Sequence, residues 1–168
     1  MTDDGILAFL VDHEGPGDRV NPDATDRGGE THYGFTWPTF SAVTGGTLEQ
    51  FRALTRAQAM RAYQSWLFAT LRLGEIHDAR LKLALADFAV NSGPVAAVKA
   101  LQRAVGVTPV DGICGTRTIV AANSAVSAAR VLERVIASRL RLLAGTAEIR
   151  GIKRGGWFQR IADVLEAE

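Results

Sequence analysis

Residues 81–90 are apolar in every position except Lys82 and Asp87. A helix with one face in water would interrupt such a run every turn, so this segment reads as a helix buried on most sides. Asn91-Ser92-Gly93 closes it, because glycine tolerates the left-handed conformation in which helices end. A helix of that kind is a hub and needs other helices around it. A chain of 168 residues, 47% hydrophobic and 22% charged, can supply one such core. No Pro-rich or Ser/Gly-rich tract is long enough to serve as a linker. The expectation is a single domain over residues 1–168, at most two-lobed.

The flanking pattern is also helical. Pro94 suits a first helical position, and Val95, Val98, Leu101, Gln102 and Val105 continue a stripe as far as Gly106. Thr47-x-x-Gln50 and Thr55-x-x-Gln58 are capping boxes, followed by Met60, Tyr63, Trp66 and Leu67 at helical spacing. Toward the end, Thr116 caps a helix running through Ala121. Residues 130–143 form another with Val131, Val135, Leu142 and Leu143 facing inward, and residues 157–165 the last. At the front, Ile6, Leu7, Phe9 and Leu10 make a short helix that Gly15 and Pro16 stop, leaving Glu14 in its last turn. From Gly17 to Gly34 the chain is polar and punctuated by glycine, a loop or small hairpin. The fold class is mainly α, with a small β region near the N-terminus.

The charges are unevenly placed. Residues 1–30 hold eight acids against Arg19 and Arg27, whereas residues 98–160 hold eleven Lys or Arg against Asp111, Glu133 and Glu148. A basic rear half attracts an anionic polymer, although solvated helix faces would give the same count. The acidic front argues against nucleic acid there, since phosphates would be repelled. One cysteine, Cys114, excludes an internal disulfide and fits a small buried filler. The start, Met1-Thr2-Asp3-Asp4, has no positive leader, and the apolar stretch of residues 6–11 is too short to span a membrane. Synthesis in the cytoplasm without a signal peptide and no stable membrane insertion are expected.

Glu14 is the first candidate for chemistry. A carboxylate at a helix C-terminus faces the negative end of the dipole, which costs roughly 0.3 to 1 kcal/mol and favours the protonated form. Aromatic walls from the 33–37 region would raise its pKa further, as a general acid requires; an exposed surface glutamate is the ordinary alternative. Asp26, twelve residues on, is followed by Gly28, Gly29 and Thr31. Two carboxylates in unlike environments suffice for glycoside hydrolysis: one protonates the leaving oxygen, the other positions water or stabilises the developing charge. A threonine hydroxyl can help hold the water, and the glycines allow close approach of a sugar. Alternatively Asp26 forms an Asx-turn. Asp23 and Glu30 are rival second carboxylates. His13, His32, His77 and Cys114 show no paired spacing, so no metal site is expected, and the loop around Asn21, Asp23 and Thr25 lacks the glycine and glutamate of a Ca²⁺ loop. Tyr33 and Trp37, beside the polar loop, are the candidates for stacking on sugars; Trp66, Trp157 and Phe158 fit a core.

The segments Glu14-Gly15-Pro16, Val20-Asn21-Pro22 and Asp26-Arg27-Gly28-Gly29-Glu30-Thr31-His32-Tyr33-Gly34-Phe35-Thr36 resemble the signature of glycoside hydrolase family 108, phage endolysins and related bacterial muramidases. Asn91-Ser92-Gly93, Leu101-Gln102, Asp111-Gly112, Gly115 and Trp157 with Arg160 resemble the predicted peptidoglycan-binding C-terminal segment of the same proteins. The first motif departs from the family's usual Glu-Gly-Gly-Tyr at Pro16 and Gly17. The resemblance implies a lysozyme-like fold, a loop and hairpin lobe on a helical body, with a catalytic front over residues 1–85 and an integral helical rear over residues 86–168. It implies cleavage of the β-1,4 bond between N-acetylmuramic acid and N-acetylglucosamine, with Glu14 as acid, Asp26 and Thr31 holding water, and Tyr33, Trp37, Gly28, Gly29 and Asn91 contacting the glycan. No cofactor is implied. A monomer released by a separate holin onto the cell wall follows from the endolysin type. Lytic transglycosylase activity and a non-catalytic wall-binding module are the alternatives.

Overall fold

In the computed structural model, residues 1–13 and 30–150 are described, together with the helical positions Ile161 and Val164. Helix α1 spans Asp3–His13, with Asp3 and Asp4 in its first turn, where carboxylates complement the positive helix end. Strands β1, Thr31–His32, and β2, Phe35–Thr36, form an antiparallel hairpin pairing Thr31 with Thr36 and His32 with Phe35. Then follow α2, Trp37–Thr44; α3, Leu48–Arg52; and α4, Arg56–Tyr63, which runs through a π-helical turn at Gln64–Phe68 into α5, Ala69–Leu71. After a 3₁₀ turn at Leu73–Glu75 come α6, Ala79–Ser92; α7, Pro94–Val105; α8, Thr116–Asn123; and α9, Ala128–Arg150. The fold is mostly helical with one small sheet near the N-terminus, as the sequence predicts.

The chain packs as two compact units, a front unit of residues 3–69 and a rear unit of residues 70–168 joined by Met1 and Thr2. In the front unit α1 packs on α4, and α2 packs on α3, α4 and the hairpin. Its core is aromatic: Phe35 stacks on Tyr63 with ring centres 4.2 Å apart, and Phe40 lies 5.5 Å from Phe51. The capping boxes Thr47/Gln50 and Thr55/Gln58 are both formed.

In the rear unit α6, α7 and α9 pack against one another; α6 is buried along most of its length as expected, but α7, which also meets α8, is the central helix. The Asp78 carboxylate accepts the Leu81 N–H at 2.7 Å and starts it. Gly93 (φ +83°) ends it and precedes Pro94, and Gly106 (φ +73°) ends α7. A polar pair lies inside this core. Asp87 (0% exposed) accepts from the Nη1 of Arg139 (3% exposed) on α9, and the guanidinium carbon stands 5.9 Å over the Phe88 ring.

Gln102, also buried, holds the 111–115 loop. Its Nε2 donates to Asp111 Oδ1 at 2.7 Å and to the Ile113 carbonyl at 3.1 Å, and its Oε1 accepts the Gly112 N–H at 2.9 Å. Gly112 (φ +86°) has no room for a side chain: a Cβ there would stand 2.7 Å from Val95 Cγ1. Cys114 is buried as expected, and desolvation pushes its thiol pKa up to about 11.

Some local expectations change. Thr116 is the first residue of α8 and not its cap; Gly115 precedes the helix, and the Thr116 hydroxyl accepts from Arg72 Nη1 at 3.3 Å. Leu142 is 41% exposed, so it does not face inward with Leu143, and α9 extends well beyond residues 130–143. Of the expected final helix, Trp157, Phe158 and Arg160 lie outside the described residues, while Ile161 and Val164 are helical and buried.

Candidate active site

Glu14, Asp26, Gly28 and Gly29, together with the rival Asp23, lie outside the described residues. What is described is the frame on either side of them. Helix α1 buries Ile6, Leu7, Leu10 and Val11, the i, i+1, i+4, i+5 pattern of one helix face, and this fixes its axis. Its last turn is held at Asp12, whose two oxygens accept from Arg56 Nε and Nη2, each at 2.8 Å. The guanidinium lowers the Asp12 pKa below the ordinary 3.8, chiefly through that hydrogen bond and against the desolvation that raises it. His13 ends the described helix, its Nδ1–H donating to the Phe9 carbonyl at 2.8 Å and its ring stacked on Phe9 at 3.7 Å. Glu14 follows directly.

Glu30 precedes β1. Arg52 Nε donates to both of its carboxylate oxygens at 3.1 Å, and its carbonyl accepts the Trp37 N–H at 3.1 Å. Glu30 thus ties the backbone just before β1 to α3 and to the start of α2. Thr31 is half-buried on β1 and faces the same side as its partner Thr36; the opposite side carries His32 and Phe35, both buried. His32 Nδ1–H donates to the Phe51 carbonyl at 2.9 Å.

Tyr33 and Gly34 connect the strands with φ of +49° and +79°. Two positive φ values are what a two-residue hairpin turn demands, and glycine or asparagine normally fills the first place. A tyrosine there carries about 1 to 2 kcal/mol of backbone strain. Two contacts hold it: the Tyr63 hydroxyl donates to the Tyr33 carbonyl at 2.8 Å, and the Tyr33 ring stacks on His32 at 4.7 Å. Tyr33 remains half-buried. Trp37, the first residue of α2, is also half-buried, with its ring centre 5.8 Å from Phe51 and 6.4 Å from Phe40. Trp66, expected in the core, is half-buried on the π-helical turn, 5.8 Å from Phe35 and 6.3 Å from Tyr63. Such turns recur at functional sites.

The hairpin therefore brings Thr31, Tyr33 and Trp37 together on one element and its immediate continuation. Asn91 belongs to the rear unit; it is exposed and donates from Nδ2 to the Asp87 carbonyl at 2.9 Å. Sequence reasoning missed Asp12, Arg56 and Tyr63, whose partners lie 30 to 44 residues away along the chain. A separate cavity of about 450 Å³ between α2, α3 and α4, lined by Phe40, Leu54 and Arg61 among others, contains none of the expected site residues.

A family model described as Glycosyl hydrolase 108 matches residues 7–93, a stretch that runs from α1 through the hairpin to the end of α6. The chain belongs to glycosyl hydrolase family 108. SagA of Brucella abortus is similar in structure, with a TM-score of 0.80 and 30% sequence identity over 96% of this chain and 90% of that one. No curated protein matches. Membership in family 108 makes the chain a glycoside hydrolase of the peptidoglycan-hydrolysing kind, and the match to SagA agrees with the lysozyme-like fold. Among the described residues no helix is long and apolar enough to cross a membrane.

Proposed function

We propose that this family 108 enzyme is a muramidase of the endolysin type, cleaving the β-1,4 bond between N-acetylmuramic acid and N-acetylglucosamine with Glu14 as general acid. The observation that carries the reading is the end of α1. Glu14 follows directly on a helix whose last turn is tied to α4 by the Asp12–Arg56 pair. The adjoining helix end favours the protonated carboxyl. Asp26 and Thr31 orient the attacking water, and Tyr33 and Trp37, with Gly28 and Gly29, line the glycan path. Strain kept at Tyr33 by Tyr63 fits a residue whose placement matters to function. The helical rear, residues 86–168, acts as an integral part of the enzyme. As an endolysin the protein works as a monomer and reaches the wall through a separate holin.

Digestion of purified peptidoglycan by wild type and Glu14→Gln, with mass spectrometry of the released muropeptides, tests this. Wild type is expected to give products with reducing-end muramic acid, and the variant to lose at least about 100-fold in rate, the scale of a missing general acid. Anhydro products would make it a lytic transglycosylase. Wall binding without cleavage by either protein would make it a binding module.

A further inference from the structure

The rings around the hairpin divide by burial. Phe35, Phe40, Phe51 and Tyr63 are inside, and the hydroxyl of Tyr63 is engaged at the Tyr33 carbonyl. Tyr33, Trp37 and Trp66 stay half-buried, and no described residue hydrogen-bonds to the Tyr33 hydroxyl or to the indole N–H of either tryptophan. Tyrosine and tryptophan pair their polar atoms when they serve a core; with that atom open and a ring face at the surface, they suit an interface. Trp66 owes its place to the backbone. An α-helix continued from α4 would carry it inward, four residues after Ala62 and three after Tyr63, both buried. The π-helical turn Gln64–Phe68 closes over more residues than an α-turn, so each residue turns less about the axis. Leu67 still returns beneath Tyr63 and is fully buried, while Trp66 is left short of the core, with its ring 6.3 Å from Tyr63 and 5.8 Å from Phe35. The turn thus withholds from the core the largest apolar side chain of its segment, against the ordinary gain from burial.

We propose that Trp66 is a further glycan-contact residue, its exposed ring surface taking the face of an N-acetylhexosamine and its indole N–H donating to a hydroxyl or acetamido oxygen. This rests on the reading of the enzyme as a peptidoglycan hydrolase whose glycan runs past Tyr33 and Trp37. A pyranose presents C–H groups on its face and oxygens at its rim, and an indole matches both. Tyr63 joins Trp66 to that path: its ring stacks on Trp66 with 26° between the planes, and its hydroxyl holds the Tyr33 turn.

The test titrates the full chain carrying Glu14→Gln with a peptide-free tetrasaccharide of alternating N-acetylglucosamine and N-acetylmuramic acid, followed by calorimetry and by NMR of the indole N–H signals. The chain has three tryptophans, and the Trp66 signal is the one missing from Trp66→Phe. On binding, that signal is expected to shift. Adding Trp66→Leu should weaken binding about tenfold, as a lost ring contact and hydrogen bond together imply, and Trp66→Phe, which keeps a ring without the N–H, should fall between. A merely structural role would lower the melting temperature of Trp66→Leu and leave the parent's indole signal where it was. Tetrasaccharide binding with an unmoved Trp66 signal, or equal affinity in Trp66→Leu, would overturn the proposal and leave the muramidase reading standing. Should Trp66→Leu not fold, the parent's indole signal and the affinity of Trp66→Phe decide in the same way. No binding by the parent would overturn both the contact and the glycan path it rests on. A shifted Trp66 signal beside a wild type that cleaves no glycan would reject only the muramidase reading.

Discussion

Asp12 stands two residues before the proposed acid, and its pairing with Arg56 gives that position a pH dependence of its own. The folded carboxylate has a pKa below its ordinary 3.8, so its contribution is complete above that value and is lost as pH falls through the depressed pKa. Both side chains are about half exposed, so solvent screening keeps the pair's contribution small. Thermal unfolding of wild type and Asp12→Asn should differ at about pH 6, and the difference should shrink progressively as pH falls below 3.8; a gap that did not shrink in acid would show that the charge pair is not what stabilises the helix end. Tyr33 is a different case. Its strain is invisible in sequence, because Tyr-Gly is not a preferred turn pair, and it becomes intelligible only through the Tyr63 hydroxyl thirty residues later.

Elements whose causes are local were legible. Pro94 and Gly106 bound α7, the two threonine–glutamine boxes start α3 and α4, and the apolar run of residues 81–90 lies within α6. The errors came where tertiary packing decides. Gly115 took the cap position from Thr116, whose hydroxyl meets Arg72 instead; Leu142 turned outward; and the π-helical turn at residues 64–68 left no compositional trace. Around the candidate site, the hairpin position of Thr31 and Tyr33 was readable, and the supports beside it were not: Arg52 under Glu30 and Arg56 under Asp12 come from other helices. The rear motif Leu101-Gln102, Asp111-Gly112, Gly115 has a structural account, since Gln102 staples the loop after α7. Gln102→Ala removes those bonds from a buried position and should cost about 1 to 3 kcal/mol. Denaturant unfolding measures the loss, and hydrogen exchange should quicken at Gly112; unaltered exchange would mean the loop is held otherwise.

At the scale of the whole chain, two compact units rely on different interiors. The front unit combines the aliphatic face of α1 with a cluster of aromatic rings, and the rear unit packs mainly aliphatic helix faces around the Asp87–Arg139 pair. Asp87 reads in sequence only as an interruption of an apolar run, and Arg139, 52 residues on, as one more cation of a basic half. Removing the carboxylate by Asp87→Ala strips Arg139 of that partner inside the core and should destabilise by about 3 to 5 kcal/mol. The double change Asp87→Leu/Arg139→Met should recover most of the loss. Equilibrium unfolding of both distinguishes them, and a double variant as weak as the single one would mean the pair is needed for more than charge balance.

Cys114, the chain's sole thiol, is shielded in the rear unit and stays protonated far above neutral pH. It is therefore a built-in reporter. A thiol reagent reacts with the thiolate of an exposed cysteine, so labelling of the native enzyme advances only as fast as the segment around residue 114 opens. The rate of that labelling is a clock for local opening beside the Gln102 staple, and a cysteine added at the surface could be modified selectively while the native one keeps time.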